Sequence, residues 1–407
     1  MKETSKRNFA LILLAQFMTK LGDALASPKT VLAWIMVSVQ APVGLTGMLV
    51  PIRESGSLIP QILIAGWIRR LAIRKWIWVA GSFAQAACVV GIGAAAITLE
   101  GARAGLIIVS LLAVFSLARS FCSIASKDVL GKTIPKKRRG RLTGWAASAA
   151  GLVSILAGLA LLLPVASIAD ARTYGGLLIA AGLLWVAGAA IYSRISEEKG
   201  ETSRERTGFA DIRRRLLLLV TDRPFRRFVI ARALLLSTAL SAPYYVLLAR
   251  ERVGDESALL GLFIVAGGLA SLISAPIWGS FADRSSRDVM SAAAALSSVI
   301  GILVFGIVVF LPDVAAQRAV FPAAFFVASI AHNGVRVGRK TYVVDLADGN
   351  QRTDYVSASN TMIGVILLIA GLTGTLSNVV SLAGVVLTLS VVGLIGAWLS
   401  SRLKPVQ

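Results

Sequence analysis

Charge is scarce in this chain: only 15% of its 407 residues are Asp, Glu, Lys or Arg, where a soluble domain carries about 25%. That leaves too little polar surface to live in water and sets aside soluble multi-domain readings. There is one histidine, and there are two cysteines, so no Cys–His spacing for zinc exists. Cys88 and Cys122 fall in separate apolar stretches and read as small buried hydrophobes rather than a disulfide or metal pair. No Walker loop, nucleophile–base set or metal spacing appears, which argues against an enzyme, a cofactor and a nucleotide-driven pump. Acidic residues are half as many as basic ones, 21 against 42. In a soluble protein the resulting +21 would suggest nucleic acid; the distribution of the charge points elsewhere.

What is abundant is apolar length. The chain is 56% hydrophobic, with a mean hydropathy of +0.76, and its Leu, Ala, Val, Ile and Gly fall in long runs with short charged punctuation. Only a helix satisfies all its backbone groups within one segment in lipid, and each pass needs roughly 20 apolar residues. This predicts an all-α membrane protein with twelve transmembrane helices, at 8–38, 44–68, 76–98, 104–126, 142–164, 173–193, 228–250, 258–280, 289–311, 319–342, 356–380 and 383–402. The first is long, and Pro28 is expected to bend it or mark its outer end.

Basic clusters at 2–7, 69–75, 136–141, 204–227 and 284–287 alternate with short connections poor in Lys and Arg, such as 38–42 and 381–384. This is the positive-inside pattern, so the basic loops and both termini are expected to be cytoplasmic and nucleic-acid binding is rejected. The expected location is the cell membrane, the inner membrane in a Gram-negative bacterium. Residues 2–26 superficially resemble a signal peptide with an Ala24-Leu25-Ala26 site; Lys20 and Asp23, between the apolar run and that site, favour a retained first span.

The longest polar connection, 194–227, divides the chain. Its start, 196–203, reads as a flexible linker, and 209–220, with Arg213–Arg215 before a leucine run, as an amphipathic helix in the headgroup region. On either side the sequence repeats weakly. Phe9 set on Phe228 places Thr19-Lys-Leu-Gly-Asp23 on Thr238-Ala-Leu-Ser-Ala242. Gly66 set on Gly279 places Ala157-Gly158 on Ala370-Gly371. The expectation is two pseudo-symmetric six-helix bundles, 1–193 and 228–407, around a central site.

After the eighth span stands Gly279-Ser-Phe-Ala-Asp283-Arg284-Ser-Ser-Arg287. This resembles the loop signature of the major facilitator superfamily, G-x-x-x-D-R-x-G-R, with Ser286 in place of the second glycine. A small Gly allows close helix approach, and the Asp can sit at a neighbouring helix N-terminus. The resemblance implies that Asp283 meets the start of the fifth span near Arg141. The first-half counterpart, Gly66-Trp-Ile-Arg-Arg70-Leu-Ala-Ile-Arg74-Lys75, keeps Gly66 and Arg74 but has Arg70 in place of the acid. A swapped latch between Arg69 or Arg70 and Asp354 is the expectation there. Arg119, in Arg119-Ser-Phe-Cys-Ser123, resembles the family's fourth-helix arginine, which the family ties to proton movement. The Gly-Pro motif of drug/proton antiporters is not recognisable at 148–163.

A charge at mid-bilayer costs roughly 2.5–3.5 kcal/mol on insertion scales, so each one present needs a reason. Lys20 and Asp23 share a face of the first span, Arg53 and Glu54 lie at similar depth in the second, and Arg119 lies in the fourth. The matching second-half positions are neutral. Second-half candidates are Tyr244, His332, Arg336 and Asn360, with Arg232, Ser237, Ser241 and Tyr245 beside them. Against each stands a structural alternative: Lys20–Asp23 as a self-neutralising pair, His332 as a hydrogen-bonded core histidine, Arg336 reaching for the interface, and Tyr244 in the outer aromatic belt.

The function these residues suggest is proton-coupled transport of a small anionic or zwitterionic organic solute by alternating access, with Asp23 or Glu54 carrying the proton. A multidrug or lipid-like efflux pump, and a transporter-like sensor that moves nothing, are the alternatives. The expected partners are the solute, protons and the lipid bilayer, and the expected state is a monomer.

Overall fold

The structure is a computed structural model. It describes residues 3–60, 64, 67–68, 70–160, 171–200, 202, 217–282, 284–346, 349–371 and 379–406. The described regular elements are all helices, and eight helical stretches, one of them the segmented run Arg223–Arg252, are long and apolar enough to cross a membrane.

The first expected span is broken rather than bent. Helix α1 (Glu3–Leu25) stops before Pro28 and α2 (Val31–Ser38) starts after it. Proline has no N–H to continue the ladder and its ring disfavours helix in the preceding residue. The break is held by Ser27, whose carbonyl accepts from Thr30 N at 3.4 Å and Leu32 N at 2.9 Å. Two further pieces, α3 (Val43–Gly47) and α4 (Leu49–Leu58), make the second passage. Then come α5 (Lys75–Thr98), α6 (Gly101–Thr133), α7 (Lys136–Ala160) and α8 (Ala171–Ser193). At about 1.5 Å per residue, the 33 residues of α6 exceed a hydrocarbon core of about 30 Å, so one end stands clear of it.

The seventh passage is also segmented, into α9 (Arg223–Leu234), α10 (Ser237–Leu240) and α11 (Ala242–Arg252). Asp222 caps α9 by accepting from Phe225 N at 2.9 Å. The chain continues through α12 (Ser257–Ala282), α13 (Ser286–Phe310), the single turn α14 (Pro312–Ala315), α15 (Val320–Asp345), α16 (Gly349–Ala370) and α17 (Leu382–Ser401). Helix α16 starts seven residues before the expected 356, because a polar opening stretch still propagates a helix when an apolar segment follows it.

Helix packing follows one pattern twice. Helix α5 packs on α6 and α8, α1 on α7 and α8, and α4 on α6. In the same order α13 packs on α15 and α17, α9 on α16 and α17, and α12 on α15. The two sets meet through α7 on α12, α4 on α16, and α2 on α11. Gly158 and Gly371, which the repeat aligns, occupy corresponding places in the first two contacts. A Cβ on Gly158 would stand 2.8 Å from Val265 Cγ2 and 2.9 Å from the Gly261 carbonyl; on Gly371 it would stand 2.6 Å from Met48 Sδ. Small residues let membrane helices approach to this distance.

The start of the 194–227 connection is docked, contrary to the flexible linker expected. Glu197 has a fully buried side chain, and its carboxylate accepts from Arg74 N at 2.9 Å, Lys75 N at 2.7 Å and Lys132 Nζ at 3.0 Å. It thus caps the N-terminus of α5, where the helix dipole favours an anion. Ser196 and Asn8 exchange two hydrogen bonds, at 2.8 and 3.0 Å. Of the expected amphipathic helix, 209–220, residues 209–216 lie outside the described residues; 217–221 is helical.

Candidate functional site

A cavity of about 580 Å³ lies between the two helix sets. One wall comes from α1, the 26–30 break, α6 and α7; the other comes from α10 to α12 and α15. Along α15 the lining residues are Phe325, Ala328, Ser329, His332, Asn333, Arg336, Val337 and Lys340, the three- and four-residue spacing of one helix face. Phe263 meets Phe325 edge-on, centroids 5.3 Å apart, at one end. Beyond that end α2 and α11 are packed: Val31 to Met36 are at most 1% exposed, and Tyr244 to Ala249 at most 4%. Arg250 clasps this seal. Its Nη1 donates to the Trp34 carbonyl at 2.6 Å and to Ser38 Oγ at 2.9 Å, its guanidinium lies 4.6 Å over the Trp34 ring, and it pairs with Asp255. At the other end Arg336 and Lys340 are exposed, so the cavity reaches solvent there.

Three of the first-half charges form one knot. The Asp23 carboxylate pairs with Arg53 at 2.8 Å and with Arg119, and Arg53 also lies 4.5 Å over the Phe115 ring. Lys20 lines the cavity but is not the ion-pair partner of Asp23 that the i,i+3 spacing suggested. Guanidinium groups from α4 and α6 take both carboxylate oxygens, presenting several donors in a planar fork where Lys offers a point charge. Glu54 does not line the cavity; it stands in the field of Lys29, Arg336, Arg339 and Arg53. Arg53 and Glu54, adjacent in sequence, thus serve different neighbours.

His332 lines the opposite wall from Arg119, its counterpart under the repeat, with Nδ1 at 3.0 Å from Thr238 Oγ1. Arg336 shares its face. Asn360 is not on the wall: its Oδ1 accepts from Arg232 Nη2 at 2.9 Å, and Arg232 also donates to Ser359. Tyr244 is packed in the seal at 2% exposure, away from both the cavity wall and an outer aromatic belt.

Of the expected gating residues, Gly66 and Asp283 lie outside the described residues, as does Arg69, and the side chains of Asp354 and Arg141 do too. Arg70 is exposed. Arg74 pairs with Asp128 within its own helix set. Arg284 is exposed, and Arg287 donates to Asp288 at 2.9 Å and to the Leu403 carbonyl at 3.3 Å, tying down the C-terminal segment. Among the described residues, a Cβ on Gly279 would meet nothing within 4 Å.

Sequence reasoning passed over Lys29, Asn333, Arg339 and Lys340. Lys29 follows Pro28 and read as an outer end. The α15 residues were findable: stepping three and four residues on from His332 and Arg336 reaches Lys340 and Arg339.

No protein-family model matches this sequence, and neither does any curated protein. Solved structures do. A D-xylose–proton symporter is 13% identical with a TM-score of 0.73, covering 98% of each chain. A POT family transporter in complex with 5-aminolevulinic acid is 13% identical with a TM-score of 0.70, covering 96% of this chain and 95% of that one. The nucleoside transporter NupG is 11% identical with a TM-score of 0.71, covering 98% and 99%. All three are transporters and none is an enzyme. The chain has their fold, as its resemblance to the major facilitator superfamily implied.

Proposed function

We propose, from the fold shared with these transporters, that this protein is a secondary active transporter for a small anionic or zwitterionic organic solute. In this reading the chain crosses the bilayer twelve times, as six-helix units 1–193 and 228–407 joined by 194–227, which rock about the central cavity. The basic loops put the Arg336–Lys340 end at the cytoplasm and the Arg250 seal at the outer face, so the structure is open inward.

One observation carries the reading. Among the described residues the cavity wall bears five basic side chains, Lys20, Lys29, Arg119, Arg336 and Lys340, and one acid, Asp23. Such a wall holds carboxylates or phosphates through charge-assisted hydrogen bonds, and a volume near 580 Å³ suits a small ligand. A structural neighbour bound to 5-aminolevulinic acid fits a zwitterionic solute, and a proton symporter among the neighbours fits proton coupling. The charged wall argues against a broad apolar drug or lipid site.

The knot suggests how a proton couples. A proton on Asp23 removes the charge that holds Arg53 and Arg119, and Arg119, already on the wall, becomes free to take an anionic group. Glu54, facing four cations, is the alternative carrier. Uptake into proteoliposomes under an imposed pH gradient tests this. Gradient-dependent accumulation of an organic anion is expected; accumulation indifferent to the gradient removes proton coupling, and no uptake of any solute removes the transporter reading.

A further inference from the structure

Resting on the transporter reading, we propose that the cavity is built for a dianion, a solute bearing a phosphate monoester or two carboxylates, held between Lys29 on one wall and Arg336 and Lys340 on the other.

Elsewhere in the chain several buried or half-buried cations are matched with acids, and the buried Arg232 is held instead by Ser359 and Asn360. Arg74 pairs with Asp128, Lys132 with Asp128 and Glu197, Arg250 with Asp255, and Arg53 with Asp23. The cavity differs. Lys20, Lys29, Arg336 and Lys340 line it, and among the described residues none of the four has a carboxylate within ion-pair distance. The one acid on the wall among the described residues, Asp23, is already shared by Arg53 and Arg119. Glu54, behind the wall, offsets part of the charge of Lys29, Arg336 and Arg339 but pairs with none of them. Crediting it in full still leaves more than two positive charges facing the cavity.

Water tolerates that excess while the cavity is open. Closure expels the water, and like charges repel one another more strongly as the effective dielectric falls. A neutral solute relieves none of this and a monoanion relieves one charge. A dianion relieves two, so its occupancy favours closure as a coupling energy between binding and conformation.

The geometry suits such a group. Arg336 and Lys340 are i,i+4 neighbours on one helix face, with Cβ atoms roughly 5–6 Å apart, and Arg offers the planar fork that grips phosphate or carboxylate bidentately. Lys29 projects from the 26–30 break, where the first passage is unwound; non-helical backbone at membrane depth is tolerated where it lines a cavity. Asn333, donating to Ser274 Oγ at 2.9 Å, adds polar wall, and Phe263 with Phe325 gives the carbon skeleton an apolar end. A purely interfacial role, with Arg336 and Lys340 reaching for headgroups, does not account for Lys29, which lines the cavity from the 26–30 break.

The test uses the purified full-length protein in detergent and its thermal unfolding midpoint at matched ionic strength, with glycerol 3-phosphate, succinate, lactate or glycerol as the probe. At least one of the two dianions is expected to raise the midpoint by about 3–5 °C, with lactate and glycerol leaving it within about 1 °C. Lys29→Gln and Arg336→Gln are expected to abolish the shift, and Arg103→Gln, at an exposed position away from the cavity, to keep it. The unliganded midpoint of each variant reports whether it folds; should either fail, Lys340→Gln takes its place. A shift equal for lactate and the dianions, or one that survives the cavity substitutions, overturns the proposal. If neither dianion shifts the midpoint while proteoliposomes still accumulate some solute under a pH gradient, the dianion site falls and the transporter reading stands.

Discussion

The two walls of the cavity treat charge differently, although Lys20 and Lys29 on the α1–α6 wall also have no paired carboxylate among the described residues. On the α1–α6 wall Asp23 is clasped by Arg53 and Arg119, and α4 contributes a second acid, Glu54, behind it. On the α15 wall Arg336 and Lys340 face the opening with no acid paired to them among the described residues. A closed network of this kind holds its geometry until a proton arrives, whereas an open one waits for a counter-ion. The difference suggests a division of labour, with the proton read on one wall and the anion gripped largely on the other.

The most severe way to break that contrast is Asp23→Asn, which leaves two arginines without their counter-ion. Removing one partner of a buried pair costs roughly 3–5 kcal/mol, so gradient-driven accumulation in proteoliposomes should fall at least about 100-fold. Native accumulation by this variant would show the knot to be incidental. A milder substitution sharpens the contrast from the other side. Asn333→Asp places a carboxylate three residues before Arg336 on the same face, giving the open wall the acid it lacks. Half-saturation for a transported anion should rise about tenfold, the effect of roughly 1.4 kcal/mol, with little loss of protein from the membrane; an unchanged half-saturation would count against α15 as the anion-gripping wall.

The smallest expected effect tests the end where the walls meet. Arg250→Ala removes the clasp on Trp34 and Ser38 and should raise the fraction of molecules open at the outer face. With Ala242→Cys as a reporter lining the cavity, and Cys88 and Cys122 buried, maleimide labelling from outside should speed up about fivefold, as a shift near 1 kcal/mol gives. Unaltered labelling would mean the apolar packing of α2 on α11 seals that end unaided.

Much of this was legible before any fold was known. Apolar length located the long helices, and the cost of a charge in lipid singled out Lys20, Asp23, Arg119, His332 and Arg336, all of which line the cavity. The faint match of Gly158 with Gly371 pointed to two residues that now lie at corresponding helix contacts. What escaped was of another kind. Glu197 read as part of a solvated run because its neighbours are polar; its burial depends on Arg74, Lys75 and Lys132, which are 123, 122 and 65 positions away. Tyr244 read as a belt or cavity residue because hydropathy gives depth but not direction around the helix. Lys29 was hidden by the proline before it, since a break and an end have the same local signature.

By itself the sequence determined that the chain is helical and built for lipid, because backbone satisfaction and the cost of charge in hydrocarbon are local conditions read one segment at a time. It also determined which residues are out of place there. Which of those residues are matched and which are left open was decided only by the tertiary structure. Pairing requires side chains from α1, α4 and α6 to converge on one carboxylate, and the lack of pairing on α15 is a property of the space in front of it. Both depend on how the helices are packed against one another, which no single segment encodes.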